Sequence, residues 1–238
     1  MRFDVYLVKA GYAASRESAK RLIEEGLVTL NGQVVTKPAR DVEGEPAITV
    51  TPKKYVGRGG EKMEAALQYF GIDPAGLRVL DIGASTGGFT DCLLQRGAAS
   101  AVTVDAGIGQ LHPKLLADPR VRNIEKYNAR DLSVNDTGVC DLAVMDVSFI
   151  SATLILPALA AVLPSGSPFI CLIKPQFEVG RAGLGKGGIV RDDALRREAV
   201  ARVVHSASTV GLSHLGSIQS PILGGDGNRE FLAAFRKE

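Results

Sequence analysis

Hydrophobic positions in the first 50 residues change from a helical period to a strand period. Two short helical runs come first, and the second lies between Ser15, a typical helix cap, and Gly26, a typical helix end. The segment Leu27–Val35 then alternates like two strands around an Asn-Gly pair, which is typical of a tight hairpin turn. The pattern predicts a small α+β domain over residues 1–52.

After residue 60, continuous apolar runs alternate with helical runs. This alternation predicts a doubly wound, Rossmann-like α/β sheet over residues 61–238. The segment 53–60, rich in glycine and cations, is predicted to be a linker. The predicted strands cover residues 77–82, 101–105, 140–146, 169–174, 214–222 and 229–236, and the predicted helices cover residues 63–70, 89–97, the stretch from 147 to 163, and 193–210.

The composition excludes several classes of protein. With 45% hydrophobic and 23% charged residues among 238, the chain has enough apolar mass for a globular core. Three cysteines without C-x-x-C spacing exclude a disulfide scaffold and argue against a zinc site, and no cluster of histidines and carboxylates suggests another metal. The longest apolar run has ten residues, whereas a membrane helix needs about 20. We therefore expect a cytoplasmic protein without stable membrane association and without a metal.

Three carboxylates, Asp81, Asp105 and Asp146, lie at the ends of predicted strands, where sheets of this class bind ligands. The loop after Asp81 has the pattern D-x-G-x-x-x-G-G, which lacks the glycine spacing of a pyrophosphate turn. A carboxylate there suits a cationic amino-acid group, and Asp105 suits a ribose diol, so S-adenosylmethionine is favoured over NAD. Asp131 is placed to reach the adenine. The predicted cofactor contacts are Asp81, Gly83, Ala84, Ser85, Thr86, Gly87, Gly88, Phe89, Asp105, Asp131 and Asp146.

Positive charge is concentrated near the amino terminus. Residues 1–60 carry ten Lys and Arg against seven Asp and Glu, whereas the remainder carries 18 against 19. Three runs in the first 50 residues stand out: Arg2–Val8, Ser15–Ile23 and Gly26–Gly32. They resemble the RNA-binding domain first named for ribosomal protein S4, in which the second helix and the hairpin present cations to structured RNA. This resemblance implies RNA contacts, which Arg58 of the linker would extend. The candidate RNA-binding residues are Arg16, Lys20, Arg21 and Arg58.

Five further motifs occur along the chain: Arg58–Lys62, Asp81–Thr90, Val144–Ile150, Leu172–Glu178 and Gly227–Leu232. Together they resemble the TlyA, or hemolysin A, family. That family joins the small RNA-binding domain to an FtsJ-like ribose 2′-O-methyltransferase domain. The resemblance implies S-adenosylmethionine as cofactor, ribosomal RNA or ribosomal subunits as partner, and a cytidine ribose as target. By the same resemblance, the catalytic set is Lys62, Asp146, Lys174 and Glu230.

The chemistry explains why such a set is needed. A ribose hydroxyl is a weak nucleophile, so methyl transfer to it requires a base. Lys174 suits this role in its neutral form, which we expect Lys62 to favour by like-charge repulsion, while Asp146 and Glu230 orient the two cations. Two alternatives remain open. The chain could be an RNA-binding protein with an inactive methyltransferase domain, or it could have a hemolysin-like activity on membranes.

Overall fold

The computed structural model describes all 238 residues, which form two compact units, Met1–Lys54 and Tyr55–Glu238. In the first unit, two helices accompany a three-stranded antiparallel sheet of order β2-β1-β3. Asn31 and Gly32 both have positive φ angles, 51° and 78°, as the predicted hairpin turn requires. The elements are α1 (Phe3–Lys9), α2 (Arg16–Glu24), β1 (Val28–Leu30), β2 (Gln33–Val34) and β3 (Ile48–Val50).

The second unit is a seven-stranded, mostly parallel sheet, which confirms the predicted α/β class. The strand order is β6-β5-β4-β7-β8-β10-β9, and β10 alone runs in the direction opposite to the other six strands. The elements are α3 (Gly59–Phe70), β4 (Arg78–Ile82), α4 (Gly88–Gln95), β5 (Ser100–Val104), α5 (Pro113–Leu116), β6 (Val121–Ile124), α6 (Val134–Thr137), β7 (Leu142–Met145), α7 (Leu156–Val162), β8 (Pro168–Ile173), α8 (Pro175–Glu178), α9 (Asp193–Ser208), β9 (Leu212–Gln219) and β10 (Phe231–Lys237).

Two apolar cores fill this unit. One contains Phe169 and Phe235, whose rings stack with centroids 5.5 Å apart, and the other contains Met63 and Leu93. None of the helices combines the length and the hydrophobicity that crossing a bilayer requires.

Three details differ from the sequence-based expectation. The edge strand β6 was not predicted, because its two central residues, Arg122 and Asn123, interrupt the apolar run. The helix expected directly after Asp146 begins only at Leu156, after a loop and a short 3₁₀ turn. The segment expected to be a linker already contains the first two residues of α3, and its Tyr55 is buried.

The direction of β10 determines which side chains meet at the edge of the sheet where the parallel strands end. Phe231, its first residue, pairs with Ile173, the last residue of β8. The amino end of β10 therefore lies beside the carboxyl end of β8. This register brings Glu230 and Lys174, one residue beyond each strand, to the same edge as the ends of β4 and β7.

Candidate active site

Two lysine–carboxylate pairs lie at this edge. Lys62 Nζ donates to Glu230 Oε2 at 2.5 Å, and both side chains are almost fully buried. Lys174 Nζ lies 2.7 Å from Asp146 Oδ1 in an ion pair whose angles fall outside hydrogen-bond geometry. The four residues expected to form the catalytic set are thus arranged as two pairs. Each lysine has its own carboxylate, so the structure provides a counter-charge for each cation.

Glu230 is held where the chain approaches it closely. Gly224 lies so near that a Cβ atom added to it would be 2.5 Å from Glu230 Oε1. The amide of Gly224 also donates to the carbonyl of Asn228, which is buried. A glycine at position 224 therefore allows this loop to close over the carboxylate that Lys62 binds.

The loop after β7 brings further groups to Lys174. Lys174 Nζ donates a hydrogen bond of 2.7 Å to Ser148 Oγ. The next residue, Phe149, has a φ of 65°, a left-handed conformation that is strained for a bulky side chain, and its side chain is 92% exposed. Its ring lies 5.4 Å from that of Phe177 in α8. Ser148 and Phe149 lie within the motif Val144–Ile150, but sequence reasoning assigned a role to neither.

Glu178 ties this loop to α8. Its carboxylate accepts a hydrogen bond from Ser151 Oγ at 2.6 Å and another from the backbone N–H of Ala152 at 2.8 Å. Glu178 is buried, and burial raises the pKa of its carboxyl. Helix α8, which directly follows Lys174, is therefore hydrogen-bonded to the loop that carries Ser148.

Asp81 is a buried carboxylate with only half of its hydrogen-bonding capacity used. Thr90 donates to its Oδ2 through both the backbone N–H, at 3.1 Å, and the hydroxyl, at 2.6 Å. The other oxygen, Oδ1, is buried without a hydrogen-bond partner. Burial raises the pKa of Asp81 to about 7, and the nearby negative charge of Asp146 acts in the same direction.

Asp81 opens onto a cavity of about 210 Å³. Gly83 allows the backbone of Asp146 to come close to the loop after β4, because a Cβ at position 83 would lie 2.5 Å from the carbonyl oxygen of Asp146. Gly87 does not line this cavity and instead packs against Leu111 and Leu115. The lining residues are Arg58, Gly59, Lys62, Asp81, Gly83, Ala84, Ser85, Thr86, Gly88, Phe89 and Asp146.

A second cavity, of about 640 Å³, is also lined by Gly83, Ser85 and Asp146. Asp105 lies on its wall and accepts hydrogen bonds from the amides of Ser85, at 2.8 Å, and Gly107, at 2.7 Å. Asp131, expected to reach an adenine, is not among the lining residues. The preceding residues 128–130 line the cavity in its place.

In the amino-terminal unit, the predicted RNA-binding residues Arg16, Lys20 and Arg21 lie on α2. Arg16 is anchored by Asp4, a fully buried carboxylate that accepts from it at 2.8 Å and from Arg2 at 3.1 Å. The hydrogen bonds from Arg2 and then Arg16 hold the pKa of Asp4 at about 2. Roughly half of the Arg16 side chain remains exposed. The fourth candidate, Arg58, lines the smaller cavity instead.

Known proteins resemble this chain over its whole length. The FtsJ-like methyltransferase family model matches residues 55–237, and the S4 domain model matches residues 1–45. The 16S/23S rRNA (cytidine-2′-O)-methyltransferase TlyA of Mycobacterium tuberculosis is 43% identical over 100% of this chain and 90% of its own. Hemolysin A of Brachyspira hyodysenteriae is 43% identical over 99% of each chain.

A solved structure described as a hemolysin from Streptococcus thermophilus superposes with a TM-score of 0.79 at 43% identity, covering 100% of this chain and 88% of that one. The chain therefore belongs to the TlyA and hemolysin A family of FtsJ-like methyltransferases, with an amino-terminal S4 domain.

Proposed function

We propose that this FtsJ-like methyltransferase transfers a methyl group from S-adenosylmethionine to the 2′-hydroxyl of a cytidine in ribosomal RNA. The observation that carries the proposal is the pair of lysine–carboxylate contacts at the edge of the two cavities, Lys62 with Glu230 and Lys174 with Asp146. The TlyA relative, whose name specifies cytidine-2′-O-methylation of rRNA, supports the choice of substrate. A cytoplasmic location, expected from the sequence, is part of the same proposal.

The residues of the two cavities fit this cofactor. The unpartnered Oδ1 of Asp81 is an acceptor for the ammonium group, and Asp105 is an acceptor for the ribose hydroxyls. Arg58 supplies a cation for the carboxylate group at the same cavity as Asp81. Residues 128–130 of the larger cavity then lie where the adenine would be bound.

Lys174 is the proposed base. S-adenosylmethionine would supply the electrophilic methyl group, whose carbon–sulfur bond breaks as the new carbon–oxygen bond forms. Lys174 in its neutral form accepts the proton of the ribose hydroxyl and becomes an ammonium next to Asp146. Asp146 stabilises that positive charge, while the Lys62–Glu230 pair places a second, neutralised cation at the same edge of the sheet.

The amino-terminal unit is the proposed RNA anchor. Arg16, Lys20 and Arg21 on α2 present cations that would contact phosphates and release counterions. Binding through such contacts weakens as salt concentration rises, and it supplies affinity without supplying the base. Ribosomal RNA, free or within a subunit, is the proposed partner because the TlyA relative is named for rRNA methylation.

The test is methylation of ribosomal RNA by purified Lys174→Ala and Lys174→Arg variants, with ribose methylation mapped by mass spectrometry. Both variants should lose at least about 100-fold in single-turnover rate, because neither side chain can accept the proton. Lys237→Ala, at the far end of β10, is the matched control and should methylate at the wild-type rate.

Three results would contradict the proposal. Wild-type protein that binds RNA but transfers no methyl group would identify an RNA-binding protein with an inactive domain. A methyl group found on a base would reject the ribose as target. A fully active Lys174→Arg variant would show that Lys174 is not the base.

A further inference from the structure

Two contacts hold the amine of Lys174, and they differ in what they do after the proton is lost. The contact with Asp146 is an ion pair outside hydrogen-bond geometry, so its strength depends on the positive charge of the amine. The contact with Ser148 Oγ is a hydrogen bond of 2.7 Å. Such a bond is directional, and a neutral amine still has N–H groups to donate.

The direction of this amine matters for a base. A neutral amine has two N–H groups and one lone pair, and proton transfer requires the lone pair to face the ribose hydroxyl. The lysine side chain has four methylene groups and turns freely about its last bond, so charge attraction alone does not set where the lone pair points. An acceptor that holds one N–H group removes most of that freedom.

Contacts within the protein hold the loop that carries Ser148 in place without a substrate. The left-handed backbone of Phe149 follows it directly, and strained residues of this kind persist only where their surroundings hold them. Glu178 binds Ser151 and Ala152 farther along the same loop, and it lies on α8, directly after Lys174. The loop that carries Ser148 and the element that follows Lys174 are thus fixed to each other at two points.

We infer that Ser148 is a positioning residue that aims the lone pair of neutral Lys174 at the ribose hydroxyl. This inference rests on the proposed function, in which Lys174 is the base. Ser148 acts through Lys174 and exchanges no proton with the substrate. Ser148 also lines the larger cavity, so its removal should lower the rate of the chemical step much more than it weakens the binding of either substrate.

The experiment compares Ser148→Ala and Ser148→Thr with wild type in single-turnover methylation across pH, with cofactor and RNA saturating. Ser148→Ala should be about 100-fold slower, as expected when a reacting group is misplaced by about 1 Å. Its dissociation constants for S-adenosylmethionine and RNA should stay within about twofold of wild type. Ser148→Thr retains the hydroxyl and should recover most of the rate.

The pH profile separates positioning from a purely structural role. The wild-type rate should rise with pH as Lys174 loses its proton. Without the Ser148 acceptor the ammonium form is less stabilised, so the midpoint of this rise should move to lower pH in Ser148→Ala. Ser217→Ala, which removes a hydroxyl bonded to His214 on β9, is the matched control and should change neither rate nor midpoint.

The outcomes distinguish this inference from the proposed function. If Lys174→Ala is inactive and Ser148→Ala has the wild-type rate and midpoint, the inference fails and the proposed function stands. If Ser148→Ala loses RNA affinity but not rate, Ser148 contacts the substrate, and the inference also fails. If Lys174→Ala keeps the wild-type rate, the proposed base is wrong, and the inference falls with it.

Discussion

Asp4 in the amino-terminal unit and Asp81 in the methyltransferase unit are both fully buried, but their surroundings shift their pKa values in opposite directions. Asp4 accepts hydrogen bonds from two guanidinium groups and one backbone amide, which hold its pKa at about 2. Asp81 has only Thr90 as a donor and one oxygen without a partner, and burial raises its pKa to about 7.

The two carboxylates differ in whether the protein itself supplies groups that compensate their negative charge. The partners of Asp4 belong to the same unit, so its charge is neutralised when the unit folds. Asp81 has a charge that the protein leaves uncompensated, and such a group favours a cationic ligand. Equal burial therefore marks a structural carboxylate in one unit and a candidate ligand-binding carboxylate in the other.

The largest expected effect is on cofactor binding by Asp81→Asn. Loss of the negative charge should weaken S-adenosylmethionine binding about 100-fold, because a buried partner for the ammonium disappears. The ligand-free variant should at the same time be more stable than wild type at pH 8, by about 1–3 kcal/mol, because an uncompensated buried charge is removed. Calorimetry measures the affinity and thermal unfolding measures the stability; weaker binding together with lower stability would contradict this view of Asp81.

The next effect is the pH dependence of cofactor affinity. Because the pKa of Asp81 is raised from 3.8 to about 7, the carboxyl must lose a proton before it can pair with an ammonium below that pH. The dissociation constant should increase about tenfold for each pH unit below 7 and level off above it. Asp81→Asn should remove this slope, and a flat wild-type profile between pH 5.5 and 7 would show that Asp81 is already ionised.

The same shifts fix how stability depends on pH. Asp4 has a lowered pKa, so its contribution is present above its ordinary value of 3.8 and is lost as pH falls through about 2. Asp81 has a raised pKa, so the ligand-free protein loses stability as pH rises from about 4 to about 7.

The smallest expected effect is that of Asp4→Asn. The amide can still accept one hydrogen bond, but its NH₂ group faces a guanidinium in place of a carboxylate oxygen. The amino-terminal unit should lose about 1–2 kcal/mol of stability, measured by hydrogen exchange of the α1 and α2 amides. Cofactor binding should be unchanged. A stabilising effect, as predicted for Asp81→Asn, would remove the distinction between the two carboxylates.

Local patterns in the sequence predicted most of the elements. The Asn-Gly turn, the Ser15 cap and the apolar strand runs all depend on neighbours a few residues apart, and the structure contains them. Strand β6 was not predicted because polar residues in its centre interrupt the apolar pattern. Its backbone pairing with β5, which the local sequence does not show, forms the strand nevertheless. The helix expected after Asp146 begins later, and Pro157 lies in its first turn, as is common for proline.

The pairing of charges at the site could not be predicted in the same way. Lys62 and Glu230 are separated by 168 residues, and only the register of β10 beside β8 brings Glu230 to this edge. Asp131 looked suitable for an adenine because of its residue type, but residues 128–130 line the cavity. The hydrogen bond from Lys174 to Ser148 depends on the path of a strained loop, for which the sequence has no local signal.

The antiparallel course of β10 also has a consequence for protein engineering. The parallel strands β4, β5, β7 and β8 hold the carboxylates of both cavities together with Lys174, whereas the β9–β10 pair contributes Glu230. Ligand recognition and one of the charged groups of the site are therefore encoded in separate stretches of the chain. An exchange of the β9–β10 pair between homologous enzymes, with a crossover just after α9, would transplant the partner of Lys62 and leave the residues that line the two cavities unchanged.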